Sequence, residues 1–145
     1  MTEDSINQWV LAHQKRIDVI LQDFFNNQKN TLLKNACEYT LLNGGKRVRS
    51  LLIYAIGEDE KILNPFHLDQ LALSVELIHA YSLTHDDLPS MDDDSLRRGK
   101  PSCHIEFNEG QAILAGDALQ SLAFQVLSDN NLNIHNDIKI KIINI

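Results

Sequence analysis

The feature that most constrains the fold is an apolar segment, LDQLALSVELIHAYSLTH, which runs from Leu68 to His85. Its apolar residues occupy nearly every face of a helical wheel, and few of its residues are β-branched. This pattern favours a helix enclosed by other helices over a strand. Pro89 predicts that the helix ends before it, because proline disfavours a helical conformation at the residue that precedes it.

The other segments also have helical patterns, and none is typical of a sheet. Ile6, Val10, Ile17, Leu21 and Phe24 recur at the spacing of one buried helix face. Small residues in the segment that follows the charged region would let neighbouring helices approach closely. We therefore expect an all-α fold. The expected helices cover about residues 4–26, 30–42, 68–85 and 111–127, with a stop at Asn43-Gly44-Gly45, an apolar stretch over 48–56, a turn over 57–65 and a loop over 129–136.

Size and charge exclude several classes of protein. A chain of 145 residues, 43% of them hydrophobic, can form one domain or part of one. Its net charge of -7 argues against a nucleic-acid binder that works by general electrostatics, so any anion must meet a local basic patch. The acidic N-terminus does not resemble a signal peptide, and no apolar run has the length of a membrane span. We expect a cytoplasmic protein.

The two cysteines indicate neither disulfides nor zinc. Cys37 and Cys103 are far apart in the sequence and form no CxxC pair. We expect both to be reduced.

The segment HDDLPSMDDDSLRRGKP, residues 85–101, carries five carboxylates within nine residues, followed closely by Arg97, Arg98 and Lys100. On a straight helix Asp86 and Asp92 would be about 120° apart, but a helix end near Pro89 could bring them together. Converging carboxylates without His or Cys favour a hard cation, and Mg²⁺ needs only one or two of them when water and phosphate oxygens complete its shell. A magnesium diphosphate would satisfy both the acidic and the basic residues.

The charged residues of the chain also have other interpretations. The simplest is a solvated acidic loop whose arginines pair with its own aspartates. A calcium-binding EF-hand loop fails, because Arg97 stands where that loop requires glycine. A P-loop at Gly44-Gly45-Lys46 also fails, because no earlier glycine has the required spacing and Arg47 replaces Ser or Thr.

Two further features are compatible with a phosphate ligand. The segment GGKRVR, residues 44–49, combines backbone amides with Lys46, Arg47 and Arg49. His79 lies seven residues before Asp86, which puts the two on one helix face about two turns apart. A single histidine on an apolar helix is otherwise most often a core residue.

Together, GGKRVR, LIHAYSLTHDDLPSMDDDSLRRGKP and ILAGDALQSLAF resemble the short-chain trans-polyprenyl diphosphate synthases, most closely the bacterial farnesyl diphosphate synthases. The resemblance runs from about residue 42 to 127. It implies a helical bundle around a central cavity, of the isoprenoid synthase type, with residues 1–145 as the N-terminal part of a single synthase domain. The family's second aspartate-rich motif has no counterpart after Leu127.

The resemblance also implies roles for particular residues. Asp86 and Asp92 match the ligands of Mg²⁺, Asp87 supports them, and Arg97 matches the contact to the allylic diphosphate; these four are the expected catalytic residues. Tyr81, five residues before Asp86, matches the side chain that limits product length at fifteen carbons. The expected contacts of isopentenyl diphosphate are Lys46, Arg49, His79 and Arg98.

The implied reaction condenses isopentenyl diphosphate with dimethylallyl or geranyl diphosphate to give farnesyl diphosphate, in a homodimer. Because half of the family's length is missing, we expect the chain alone to be inactive. Two alternatives stay open: a non-catalytic helical subunit that binds diphosphate or a partner, and a geranylgeranyl diphosphate synthase.

Overall fold

The computed structural model describes residues 2–26, 29–60 and 64–144, and within these ranges the chain is mostly helical. The expectation of an all-α fold is confirmed. The elements are α1 (Glu3–Asn26), α2 (Leu32–Leu41), α3 (Val48–Glu60), α4 (Pro65–Asp86), β1 (Leu96–Arg97), β2 (Lys100–Pro101), α5 (Cys103–Glu106), α6 (Glu109–Ser128) and α7 (Asn136–Ile143).

Helix α4 lies at the centre of the molecule, as its apolar pattern predicts. It packs most extensively against α6 and also contacts α1, α2 and α3. Helix α6 can come close because the residues it presents are small, with Ala112, Ala115, Gly116 and Ala123 all buried. The expected close approach of neighbouring helices is thus confirmed. This packing against α6 fixes the C-terminal end of α4, where the acidic segment begins.

The predicted turn over residues 57–65 is wrong in its first part, because α3 continues through Gly57 to Glu60, and its middle part, 61–63, lies outside the described residues. Gly57 serves packing there: a Cβ at this position would collide with the methyl groups of Leu68 on α4. Helix α4 also starts earlier than residue 68. Its first residue is Pro65, and the Asn64 side chain caps it by accepting a 2.9 Å hydrogen bond from the amide of His67.

The expectation that the chain contains no sheet is wrong at one place. Strands β1 and β2 pair antiparallel, with Leu96 opposite Pro101 and Arg97 opposite Lys100. The two residues between them, Arg98 and Gly99, have φ of 54° and 80°, as the tight turn of a two-residue hairpin requires. This hairpin presents Arg98 at its tip.

Among the helices in the described ranges, none combines the length and the apolar character that crossing a membrane requires.

Candidate functional site

The end of α4 brings the backbones of Asp86 and Asp92 together. The helix stops at Asp86, and the chain then folds back so that the amide of Asp92 donates a 2.8 Å hydrogen bond to the carbonyl of Asp86. The amide of Asp93 closes the same turn with a 3.1 Å hydrogen bond to the carbonyl of Leu88. The turn just before and after Pro89 therefore overcomes the separation that a straight helix would impose.

Asp87 and Arg97 form a pair of their own. Asp87 is 3% exposed, and its carboxylate accepts hydrogen bonds of 3.0 and 3.1 Å from Arg97 Nε and a further one from Nη2. Arg97 Nη2 also lies 3.5 Å from Asp94 Oδ2. These carboxylates raise the pKa of Arg97, with the hydrogen bonds to Asp87 as the largest cause. Asp87 is thus neutralised within the protein, while Asp92 is exposed and Asp86 half-buried.

The donor set suits Mg²⁺ only if a ligand contributes oxygens. Within residues 2–26, 29–60 and 64–144, His, Cys, Asp and Glu form no group of three or more that could hold a metal. Mg²⁺ commonly takes one or two protein carboxylates and completes its octahedron with water and substrate phosphate. Asp86 and Asp92, joined through their backbones, fit that role.

A basic cleft of about 430 Å³ lies beside this segment. The four residues predicted to bind isopentenyl diphosphate, which come from three separate parts of the sequence, all line it. Their convergence on one cleft agrees with the binding site that the resemblance implies. The cleft is lined by Gly45, Lys46, Arg47, Val48, Arg49, Glu76, His79 and Arg98.

The loop before α3 and the β1–β2 hairpin are joined at the mouth of the cleft. Arg98 donates a hydrogen bond from Nη1 to the carbonyl of Gly44, and its guanidinium lies against Gly45. The Asn43 side chain donates a 3.2 Å hydrogen bond to the carbonyl of Arg97. The two glycines have φ of 74° and 130°, so the loop takes a path that other residues avoid. Residues distant in sequence thereby present their cations to one space.

The positive charges that line the cleft lower the pKa values of their neighbours. Burial lowers the pKa of His79, and the nearby positive charge of Arg49 lowers it further. Loss of solvation lowers the pKa of Arg98, and so does the charge of Arg47. A bound anion would favour the protonated forms of His79 and Arg98, so we expect these side chains to interact favourably with one.

Arg47 differs from its neighbours, because its side chain points into the protein. It is 7% exposed and forms an ion pair with Glu76, which is 3% exposed. The sequence grouped Arg47 with the phosphate-binding residues, and the structure directs it to a buried carboxylate instead. The signal that could have revealed this is Glu76 itself, since a carboxylate in the middle of an apolar helix needs a cation.

An apolar cavity of about 610 Å³ adjoins the basic cleft, and Arg49 and His79 line both. Of the described residues, Ser82 rather than Tyr81 lines this cavity. Tyr81 packs edge-on against His85, with ring centroids 5.0 Å apart. The apolar cavity is lined by Arg49, Leu52, Ile53, Ser74, Val75, Ile78, His79, Ser82, Phe124, Leu127, Ile142 and Ile143.

Comparisons with known proteins agree on one family. The family model described as polyprenyl synthetase matches residues 30–144. Farnesyl diphosphate synthase of Escherichia coli is 55% identical over 104 residues, which cover 72% of this chain and 34% of that protein. The corresponding enzyme of Haemophilus influenzae is 51% identical over 137 residues, which cover 91% of this chain and 45% of that protein.

Solved structures give the same result. The geranyltransferase of Legionella pneumophila superposes with a TM-score of 0.80 at 43% identity, over 83% of this chain and 43% of that one. The geranyltranstransferase of Thermotoga maritima gives 0.77 at 39% identity, over 81% and 44%. The chain therefore spans less than half the length of each of these relatives.

Proposed function

Because the chain belongs to the polyprenyl synthetase family, we propose that it is, or forms part of, a prenyltransferase that condenses isopentenyl diphosphate with dimethylallyl or geranyl diphosphate. The observation that carries this proposal is the pair of adjoining spaces that share Arg49 and His79, one basic and one apolar. A prenyl diphosphate has a charged head and an apolar tail, so it needs both. The predicted product is farnesyl diphosphate.

The charged side chains of the site have proposed binding roles. Lys46, Arg49, His79 and Arg98 would hold isopentenyl diphosphate through its phosphate oxygens. Asp86 and Asp92 would hold Mg²⁺ together with the allylic diphosphate, and the bound ion would supply positive charge that stabilises the leaving group. Arg97 would contact the same diphosphate while Asp87 fixes the orientation of its guanidinium.

The reaction requires no protein nucleophile. The allylic C–O bond breaks and diphosphate leaves, the double bond of isopentenyl diphosphate attacks the resulting carbocation, and a proton is then lost. The protein contributes charge stabilisation, positioning of the two substrates and exclusion of water. The resemblance, rather than the apolar cavity, which Tyr81 does not line, supports Tyr81 as the proposed limit on product length. We also propose a homodimeric assembly.

Binding provides the first test. Isothermal titration of the 145-residue chain with isopentenyl diphosphate should give saturable binding. Arg49→Gln should weaken it by about ten- to a hundredfold, the usual effect of losing a hydrogen bond to a charged group. Lys141→Gln, on α7, is the control for loss of one exposed positive charge and should leave the affinity unchanged. Absence of binding by the unmodified chain would refute the proposal.

Turnover provides the second test. The chain spans less than half of its relatives, so we expect no sustained formation of farnesyl diphosphate from geranyl and isopentenyl diphosphates with Mg²⁺. In a complete synthase that carries these residues, Asp86→Ala should abolish most turnover without unfolding the protein, and Asp137→Ala should not. Near-normal rates after Asp86→Ala would contradict the magnesium assignment.

A further inference from the structure

Arg47 and Glu76 form a buried ion pair in the wall of the basic cleft. Arg47 Nη1 lies 3.1 Å from Glu76 Oε2, and Nη2 donates a 3.3 Å hydrogen bond to the carbonyl of Leu41. The second carboxylate oxygen, Glu76 Oε1, accepts a 2.8 Å hydrogen bond from Ser50. The pair thus connects the end of α2, the start of α3 and the middle of α4.

The first helix adds two more contacts to the same loop. Asp18 Oδ1 lies 2.9 Å from Arg47 Nε, and the Gln14 side chain donates a 2.9 Å hydrogen bond to the carbonyl of Lys46. Asp18 and Gln14 are four residues apart and so share one face of α1. Residues 46 and 47 are therefore held by contacts from α1, α2 and α4, through the Lys46 carbonyl and the Arg47 side chain.

The backbone of this loop adopts an energetically unfavourable conformation at Arg47. Arg47 has φ of 51°, which is uncommon for a residue other than glycine and costs on the order of a tenfold shift in local equilibrium or more. Such a conformation persists only where surrounding contacts impose it. Here it turns Arg47 inward and leaves Lys46 and Arg49, on either side of it, to line the cleft.

Anion binding alone does not account for Glu76. Among the described residues that line the cleft it is a carboxylate beside four Lys and Arg side chains, and a negative charge there opposes a bound anion. Stability alone does not account for the pair either, because well-packed apolar residues commonly replace a buried ion pair without loss. The remaining role for the pair is to fix the conformation of the loop that carries Lys46 and Arg49.

We propose that Arg47 and Glu76 are positioning residues that set the shape of the basic cleft by holding Lys46 and Arg49 in place around a diphosphate. This inference deepens the proposed function and rests on it. The two residues act through their neighbours and need not touch the ligand.

The test measures affinity for inorganic pyrophosphate, without metal, by isothermal titration of the 145-residue chain. Glu76→Gln should weaken binding by about tenfold or more, the effect of misplacing one charged contact. Simple electrostatics gives the opposite sign, since removing a negative charge near an anion should tighten binding. Tighter or unchanged binding would therefore overturn the inference.

Because Glu76→Gln leaves Arg47 with only the half-exposed Asp18 as a charged partner, two further variants separate positioning from folding. The double variant Arg47→Met/Glu76→Leu removes the pair without leaving a buried charge and should fold, yet bind pyrophosphate at least tenfold more weakly. Asp18→Asn, whose side chain is half-exposed, removes one contact to Arg47 and should weaken binding less, in the same direction. If the double variant does not fold, as judged by circular dichroism, Asp18→Asn decides.

The matched control is Glu38→Gln, the same chemical change at a partly exposed pair with Lys34 on α2. It should leave pyrophosphate affinity unchanged. If the unmodified chain fails to bind pyrophosphate, the proposed function fails and this inference fails with it. If the unmodified chain binds and a folded variant binds equally well, only the inference fails.

Discussion

At the scale of single residues, the loop that begins at Asn43 depends on two glycines that do different work. Gly44 has φ of 74° and open space around the position of a Cβ, whereas a Cβ on Gly45 would lie 2.6 to 2.8 Å from the guanidinium of Arg98. The guanidinium is the end of a flexible side chain, so it can move away. An alanine at position 45 is therefore expected to displace the guanidinium of Arg98, in addition to any effect on stability.

This difference predicts the behaviour of two alanine variants. Both should lose about 1 kcal/mol of unfolding free energy, because alanine is strained at positive φ. Gly45→Ala should also weaken pyrophosphate binding by about tenfold, since Arg98 leaves its position. Gly44→Ala should keep its affinity, because the carbonyl that accepts from Arg98 is unchanged. Urea unfolding and isothermal titration measure the two effects; equal affinities would argue against a role for Arg98.

His79 predicts how stability depends on pH. Its pKa is lower in the folded protein than in the unfolded chain, mainly through burial, so the unfolded chain binds more protons as pH falls below the ordinary histidine value of about 6.5. The contribution of neutral His79 is therefore complete above about pH 6.5 and is lost as pH falls through the folded pKa.

We expect His79→Gln to reduce the loss of unfolding free energy between pH 7.5 and pH 5.5, because the variant cannot take up that proton. Urea unfolding at the two pH values measures this. His135→Gln, whose side chain is largely exposed, is the control and should leave the pH dependence as it is. An equal loss in the His79 variant and the unmodified chain would contradict the prediction.

At the scale of elements, the contact between α4 and α6 fixes where the acidic segment starts. A Cβ at Gly116 on α6 would collide with the imidazole of His85, the residue before Asp86. That imidazole lies with Nε2 3.0 Å from the carbonyl of Ile113. Gly116 therefore lets the end of α4 rest against α6.

Two glycines of α6 allow a matched comparison. Gly116→Ala should destabilise the protein by about 1–3 kcal/mol, the usual range for overpacking a core. Gly110→Ala, in the first turn of the same helix, would place its Cβ 3.4 Å from Asn108 Oδ1 and should be neutral or stabilising, because alanine favours a helix. Urea unfolding distinguishes them, and equal stabilities would mean that His85 moves aside freely.

The sequence predicted elements best where a long segment has one consistent character. The all-round apolar pattern of α4 and the small residues of α6 correctly predicted a central helix and a close neighbour. The sequence failed at Gly57, because a glycine required by a contact with Leu68 has the same letter as a glycine that makes a turn. It also failed at the β1–β2 hairpin, whose strands are too short to show an alternating pattern.

For the site, the sequence identified which cations would meet but not which one would turn inward. Lys46, Arg49, His79 and Arg98 line one cleft, as the motifs implied. Arg47 belongs to the same motif, and its direction depends on a carboxylate 29 residues away. A local pattern cannot specify a contact over that separation.

At the scale of the whole molecule, the basic cleft and the apolar cavity share Arg49 and His79 and so form one amphiphilic surface. Leu52 is 57% exposed and lines the apolar part, whereas Leu11 on α1 is 66% exposed and is not among the residues that line it. The two leucines have similar exposure in different surroundings. They can therefore separate tail recognition from general surface effects.

Leu52→Ser should weaken binding of geranyl diphosphate by about three- to tenfold, because part of the apolar contact to the tail is lost. It should leave the affinity for inorganic pyrophosphate unchanged, since that ligand has no tail. Leu11→Ser should change neither. Isothermal titration with the two ligands measures all four effects. Equal losses for both ligands after Leu52→Ser would contradict a division into head and tail regions.

The contact between α1 and α3 also provides an optical signal. Trp9 is the only tryptophan in the chain; its indole donates a 3.1 Å hydrogen bond to Glu58 Oε2 and stacks on His13, with ring centroids 4.2 Å apart. Tryptophan fluorescence therefore reports on the contact between α1 and α3, while circular dichroism reports on all the helices. If the emission changes at a lower urea concentration than the helical signal, α1 separates first, and the loop that Gln14 and Asp18 hold is released before the central helices unfold.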